Sequence, residues 1–255
     1  MNCNQLLNIT TRLGYLLLEN GAEIYRVEES ILRIFQAYNL QDSSIFAIPT
    51  CLIVTVCDHE GNSVSRVKRI TQRGTNLAKV HYLNSLCRNI CATTPDESYI
   101  LEQLDQAETI KTYSSLLQTL AFAALAFFFA LFFGGTLADA FCAALCGALI
   151  RICRFQMERF NTNFFFVNVA ASALAGGLAA LLVHFGIGDN LDKIIIGALM
   201  NLVPGIAITN FMRDIIGGDL VAGITKLAES LLIAFAIALG TGIALTLANM
   251  NWGAI

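Results

Sequence analysis

Apolar and polar positions alternate with one rhythm in the first third of the chain and with quite another beyond it. Over residues 4–18 the apolar side chains Leu6, Leu7, Ile9, Leu13, Leu16 and Leu17 recur with a helical period, and Asn20-Gly21 reads as a helix stop. A second helix is predicted to bury Ile24, Val27, Ile31, Ile34 and Phe35. Its other face carries Glu29 and Arg33 in the favourable acid-first i,i+4 order. The pattern then changes. Residues 44–57 are rich in β-branched side chains, Asp58-His59-Glu60-Gly61-Asn62 is a turn cluster, and residues 63–70 resume as a strand carrying Arg66, Lys68 and Arg69. Pro49 predicts an edge, or a break between two short strands. Two more helices follow, over 76–90 and 95–111. The second opens on Thr94 as N-cap, Pro95 in the first turn, and the acids Asp96 and Glu97. The predicted order is ααβ(β)βαα, a small α+β domain over 1–112.

Beyond it, over 113–255, five apolar segments can be drawn: 114–133, 137–152, 164–185, 194–211 and 220–248. The second is short and the last long enough to tilt. The expected fold is an α-helical membrane protein with five transmembrane helices, preceded by a cytoplasmic α+β domain. Charge marks the same division. Up to Tyr113 there are ten Lys and Arg and twelve Asp and Glu; from Ser114 onward there are six and seven in a longer stretch. Across all 255 residues 56% are apolar and only 14% charged, against roughly a quarter in a soluble domain.

Orientation follows from the basic residues of the joins. The first domain, the join with Arg151, Arg154 and Arg159, and the join with Arg213 and Lys226 fall on one side, while Lys193 stands alone on the other. No secretory signal is visible. The amino terminus is expected in the cytoplasm and the carboxyl terminus in the periplasm, in the inner membrane. The odd span count leaves no internal two-fold repeat of the kind many transporters carry, which points to a partner.

The net charge of −3 comes without a basic run, which argues against nucleic acid. The eight cysteines form no Cys-x-x-Cys or Cys/His cluster; Cys87/Cys91 and Cys142/Cys146 are four apart on predicted helices and read as small buried side chains. No metal or cofactor is expected. His59 and His81 have no nucleophile pattern nearby, and Gly-x-Ser-x-Gly, P-loop and His-Glu-x-x-His motifs are absent from the sequence.

Polar residues inside the apolar segments are the candidates for function. Asn168, Ser172, Gly176 and Ala180 form an i+4 stripe that close helix packing explains as well as a substrate path does. Asn201, Gly205, Thr209 and Arg213 form another, interrupted by Pro204-Gly205. Proline there kinks or breaks the helix, and a half-helix starting at the break would aim its positive end at a cavity suited to a carboxylate. Lys226, Glu229 and Ser230 open the last segment. Glu229 either pairs with Lys226 or Arg213 or takes up a proton on the transport path. Asp139 and His184 are expected at the outer interface.

Two stretches resemble the threonine/serine exporter (ThrE-like) family. One is Gly21-Ala22-Glu23-Ile24-Tyr25-Arg26-Val27-Glu28. The other is Leu202-Val203-Pro204-Gly205 with Thr209-Asn210, Arg213-Asp214, Gly218-Asp219 and Lys226-Leu227-Ala228-Glu229. Some members are single ten-span chains and others are split; this chain is similar to the larger, YjjP-type half, which works with a smaller YjjB-type membrane subunit. The resemblance implies export of small carboxylates, succinate-like dicarboxylates or threonine and serine, driven by an ion gradient, in a higher oligomer. It implies substrate contacts at Asn201, Pro204, Gly205, Thr209, Asn210, Arg213 and Lys226, with proton coupling at Glu229. Lys226 stands where many relatives are expected to carry arginine, and lysine offers a point charge in place of a bidentate clamp. A non-transporting scaffold and, with no paired nucleophile and base in the spans, a membrane-embedded hydrolase are the other classes open to the sequence.

Overall fold

The computed structural model describes residues 1–40, 42–57, 61–111, 113–160, 162–253. Of the expected 58–62 turn, Asp58, His59 and Glu60 lie outside them. The chain divides into two compact units, Met1–Lys111 with Thr209–Lys226, and Thr112–Ile208 with Leu227–Ile255.

In the first unit, helices α1 (Cys3–Glu19) and α2 (Ile24–Ala37) bury the faces that their periods mark, with Leu7, Ile9, Leu13, Leu17, Val27, Ile31, Ile34 and Phe35 fully enclosed. Each such side chain contributes roughly 1.5–3 kcal/mol relative to exposure. The stop at Asn20-Gly21 closes with the Ala22 amide bonded to the Leu17 carbonyl and Gly21 at φ +86°. Strands β1 (Ser43–Ile48), β2 (Cys51–Cys57) and β3 (Ser63–Arg69) form an antiparallel sheet in the order β1-β2-β3, with Pro49-Thr50 as the turn between the first two. Leu52, Val54 and Val56 point into the core from the central strand, and the alternate positions face outward.

Helices α3 (Leu77–Thr93) and α4 (Glu97–Thr109) complete the layer. Thr94 does not cap α4. It sits in the left-handed region at φ 40° and ends α3, its amide bonded to the Ile90 carbonyl, while Asp96 holds the N-cap position of α4. Pro95 disfavours helical geometry at the residue before it, which moves the start of α4 onward.

The second unit is helical. It contains α5 (Ser115–Phe132), α6 (Leu137–Arg159), α7 (Phe164–His184) and α8 (Leu191–Leu199), with most of a long helix, α10 (Leu220–Trp252). Helix α9 (Gly205–Gly217) begins in it and continues in the first unit. Among the described residues three helices, α5, α7 and α10, are long and apolar enough to cross a membrane. The other two expected spans have a different form. Helix α6 continues past Ile152 through Arg154, Glu158 and Arg159, which lowers its hydropathy, and the 194–211 segment is two short helices. Large apolar side chains stand exposed on the outer faces, among them Leu116, Phe128, Phe132, Phe141, Leu145 and Phe166. Water is a poor solvent for such faces; lipid is a good one.

Candidate functional site

The helix break lies where the proline demands it. Helix α8 ends at Leu199, a tight turn follows in which the Leu202 amide bonds the Leu199 carbonyl at 2.8 Å, and α9 starts after Pro204, whose carbonyl accepts from the Ile208 amide at 3.0 Å. Asn201 secures the turn. Its side-chain amide donates to the carbonyls of Phe122 on α5 and Ala198, each at 3.1 Å. The Ala198 and Leu199 carbonyls at the end of α8 are thus met by protein, as a break at membrane depth requires.

The break opens onto a groove of about 500 Å³. One wall is Leu199, Val203, Pro204 and Ile208; the other is the α10 face formed by Ser230, Ala234, Ile237, Ala238, Thr241 and Leu245. Those α10 positions recur at i, i+4, i+7, i+8, i+11 and i+15, which places them on one side of the helix. The lining is apolar except for two hydroxyls. The buried Thr241 Oγ1 has no hydrogen-bond partner among the described residues. Glu229, half-buried, directly precedes groove residue Ser230.

The stripe on α7 packs against α10. A Cβ at Gly240 would lie 2.2 Å from both Ser172 Oγ and the Val169 carbonyl, so only glycine lets the two helices meet here. Gly176 also faces α10, but less closely: an added Cβ would make ordinary contact with Ala244 and Thr241, at 3.4–3.5 Å. Helix packing accounts for Ser172 and Gly176.

In the first unit, residues 209–226 form a helical hairpin. Helix α9 ends at Gly218, φ +95°, with the Asp219 amide bonded back to the Asp214 carbonyl at 2.8 Å. The reversal brings Lys226 Nζ to 2.6 Å from Asp214 Oδ2, with both side chains largely enclosed. Arg213 pairs with Glu23, which also holds Arg26. Glu28 accepts from the Ala47 amide at 2.7 Å, and burial pushes its carboxyl above the ordinary value, an effect the Ala47 bond opposes and Asp219 increases.

The expected site residues therefore fall into two groups. Asn201, Pro204 and Gly205 are at the break, with Pro204 lining the groove; Glu229 is next in sequence to Ser230 of the other wall but does not itself line the groove. Thr209, Asn210, Arg213 and Lys226 belong to the unit that holds Glu23, and both cations already face carboxylates. Sequence reading gave no role to Glu23, Asp214 or Asp219, although all three stand in the motif stretches. It also gave little weight to Asp139. This fully buried carboxylate accepts from the amides of Thr136, Asp189 and Asn190 and from the Asn190 side chain, at 2.8–2.9 Å, and fastens the α7–α8 loop to the start of α6. Thr136 three residues earlier, completing a capping box, was its sequence signal.

A bundle of apolar helices with one helix broken beside a groove is an arrangement found in membrane transporters. The chain belongs to the family described as "Putative threonine/serine exporter", whose model matches residues 8–248. It is 22% identical over 247 residues to the "Probable threonine/serine exporter" of Mycobacterium tuberculosis, covering 96% of this chain and 46% of that protein. To the "Threonine/serine exporter" of Corynebacterium glutamicum it is 24% identical over 254 residues, covering 96% of this chain and 52% of that one. The chain thus spans about half the length of the curated relatives it matches. No solved structure matches it. The family is one of exporters, transporters rather than enzymes.

Proposed function

We propose that the chain is one subunit of a secondary exporter that moves small carboxylates out of the cytoplasm, working with a second, smaller YjjB-type membrane subunit. The cargo is a dicarboxylate such as succinate, or threonine and serine. The observation that carries this reading is the break at Pro204 opening on a groove walled by α10. A cargo carboxylate there would meet the first-turn amides of α9, where the helix dipole favours negative charge. Glu229 takes up the coupling proton.

The proposed topology has five crossings, counting α6 and the α8–α9 pair, with the amino terminus cytoplasmic, the carboxyl terminus periplasmic and a higher oligomer in the bacterial inner membrane. Efflux of labelled succinate, threonine and serine from proteoliposomes, with this chain alone and with the smaller subunit, tests it. Efflux of one cargo only when both are present is expected; none in either case, from folded protein, would sink it. In the coupled system Glu229→Gln should abolish acceleration of efflux by a proton gradient; normal coupling would remove that role.

A non-transporting scaffold is the second reading. It is favoured by Arg213 and Lys226 each facing a carboxylate of the chain itself, Glu23 and Asp214. Efflux that persists with the smaller subunit alone would establish it.

A further inference from the structure

A second cavity, of about 300 Å³, lies wholly in the first unit. Its floor is one face of α1, where Asn8, Thr11, Arg12 and Tyr15 recur at i, i+3, i+4 and i+7. Its side is β3, which contributes Arg66 and Lys68. In the sheet register Arg66 stands opposite Val54 and Lys68 opposite Leu52, and both of those partners are fully buried. The two cations therefore occupy the inward face of an edge strand, where the neighbouring strand places core. Inward charge on an edge strand can serve to block pairing with another chain. Here it also lines a cavity.

Charge in the cavity is unbalanced. Three cations, Arg12, Arg66 and Lys68, line it against one carboxylate, Glu108, a surplus of two (3 − 1). Arg12 is held by Asp105 and Glu108, each at 2.6 Å. Among the described residues no carboxylate pairs with Arg66 or Lys68; Lys68 Nζ lies over the Tyr15 ring, 5.0 Å from its centroid. Thr11 donates its hydroxyl to the Leu7 carbonyl and Tyr15 donates to Glu19, so the donors left facing the cavity are Arg66, Lys68 and the Asn8 amide. A planar fork, a point charge and an amide together suit an oxyanion.

We propose that this cavity binds a small soluble oxyanion, a phosphate- or carboxylate-bearing metabolite, with Arg66 and Lys68 as its charge partners. The site belongs to the first unit and does not depend on the exporter reading.

The test is calorimetric titration of the full chain, in uncharged detergent at low salt, with inorganic phosphate and with succinate. At least one should bind saturably at a single site and weaken as salt rises. Arg66→Glu with Lys68→Glu should lower affinity at least tenfold. Glu108→Gln should raise it several-fold by removing the one repulsive lining group. Arg69→Glu makes the same charge change on the outward face of β3 and should leave affinity within about twofold. Circular dichroism and melting of each variant confirm folding. The proposal is overturned if neither anion binds the folded chain, if Arg69→Glu weakens binding as much as the Arg66 change, or if heat appears only with nanodiscs containing anionic lipid.

Discussion

Removing Lys226 should damage the fold, because its ammonium faces a buried carboxylate. Its ammonium is 2.6 Å from Asp214 Oδ2, and the two side chains are 14% and 1% exposed. Asp214 Oδ1 has no hydrogen-bond partner among the described residues, so the carboxylate depends on Lys226 for its neutralisation. Lys226→Met would leave that charge buried, at a cost of about 3–5 kcal/mol. Asp214→Asn leaves the lysine, whose flexible stem can carry the ammonium toward solvent, and should cost about 1–3 kcal/mol. The double variant replaces both charges and should be less destabilised than the sum by about 2–3 kcal/mol. Equilibrium unfolding in mixed micelles of a denaturing and a mild detergent measures all four proteins. If Lys226→Met stayed within about 1 kcal/mol of the parent, or the single effects simply added, the pair would not be the structural element described. A lysine that instead held cargo would leave stability alone and raise the KM for efflux.

Two further outcomes follow from the packing and the charges. Gly240→Ala must push α7 and α10 apart by about 0.8 Å to bring its Cβ from 2.2 Å to a tolerable 3.0 Å from a backbone carbonyl; it should cost about 1–3 kcal/mol in the same unfolding assay, and a neutral result would mean the helices do not meet there. Glu28 binds its proton more tightly folded than unfolded, because burial raises it from 4.5. Its contribution to stability is therefore present at low pH and is lost as pH rises from about 4 through the raised folded value, and Glu28→Gln, which still accepts from Ala47, should flatten that decline.

Much of the architecture is legible in the residues because local rules decide it. The helical period of Leu6 to Leu17, the Asn20-Gly21 stop, the β-branched run divided at Pro49 and the break at Pro204 each depend on neighbours within a few positions. Thr94 fails as an α4 cap because two helices compete for one short connection, and the left-handed close of α3 uses it first. The site was harder to read. A motif such as Arg213-Asp214 tells that charges are present near a helix end but not which carboxylate each cation meets. Glu23 lies almost two hundred residues from Arg213, and only tertiary structure brings them together. The groove was invisible for the same reason. Ala234, Ala238 and Thr241 read as an ordinary apolar helix face until Pro204 is set opposite them.

Blocking that groove tests its role most directly. Ala234 lines it with a single methyl, and Ala234→Phe would project a ring into its roughly 500 Å³ without altering any charge. Efflux should be measured in proteoliposomes holding this chain and the smaller subunit, with assembly and melting checked against the parent. A loss of at least tenfold in folded, assembled protein is the expected result, and efflux at the parental rate would contradict the assignment of the groove as the path of the cargo.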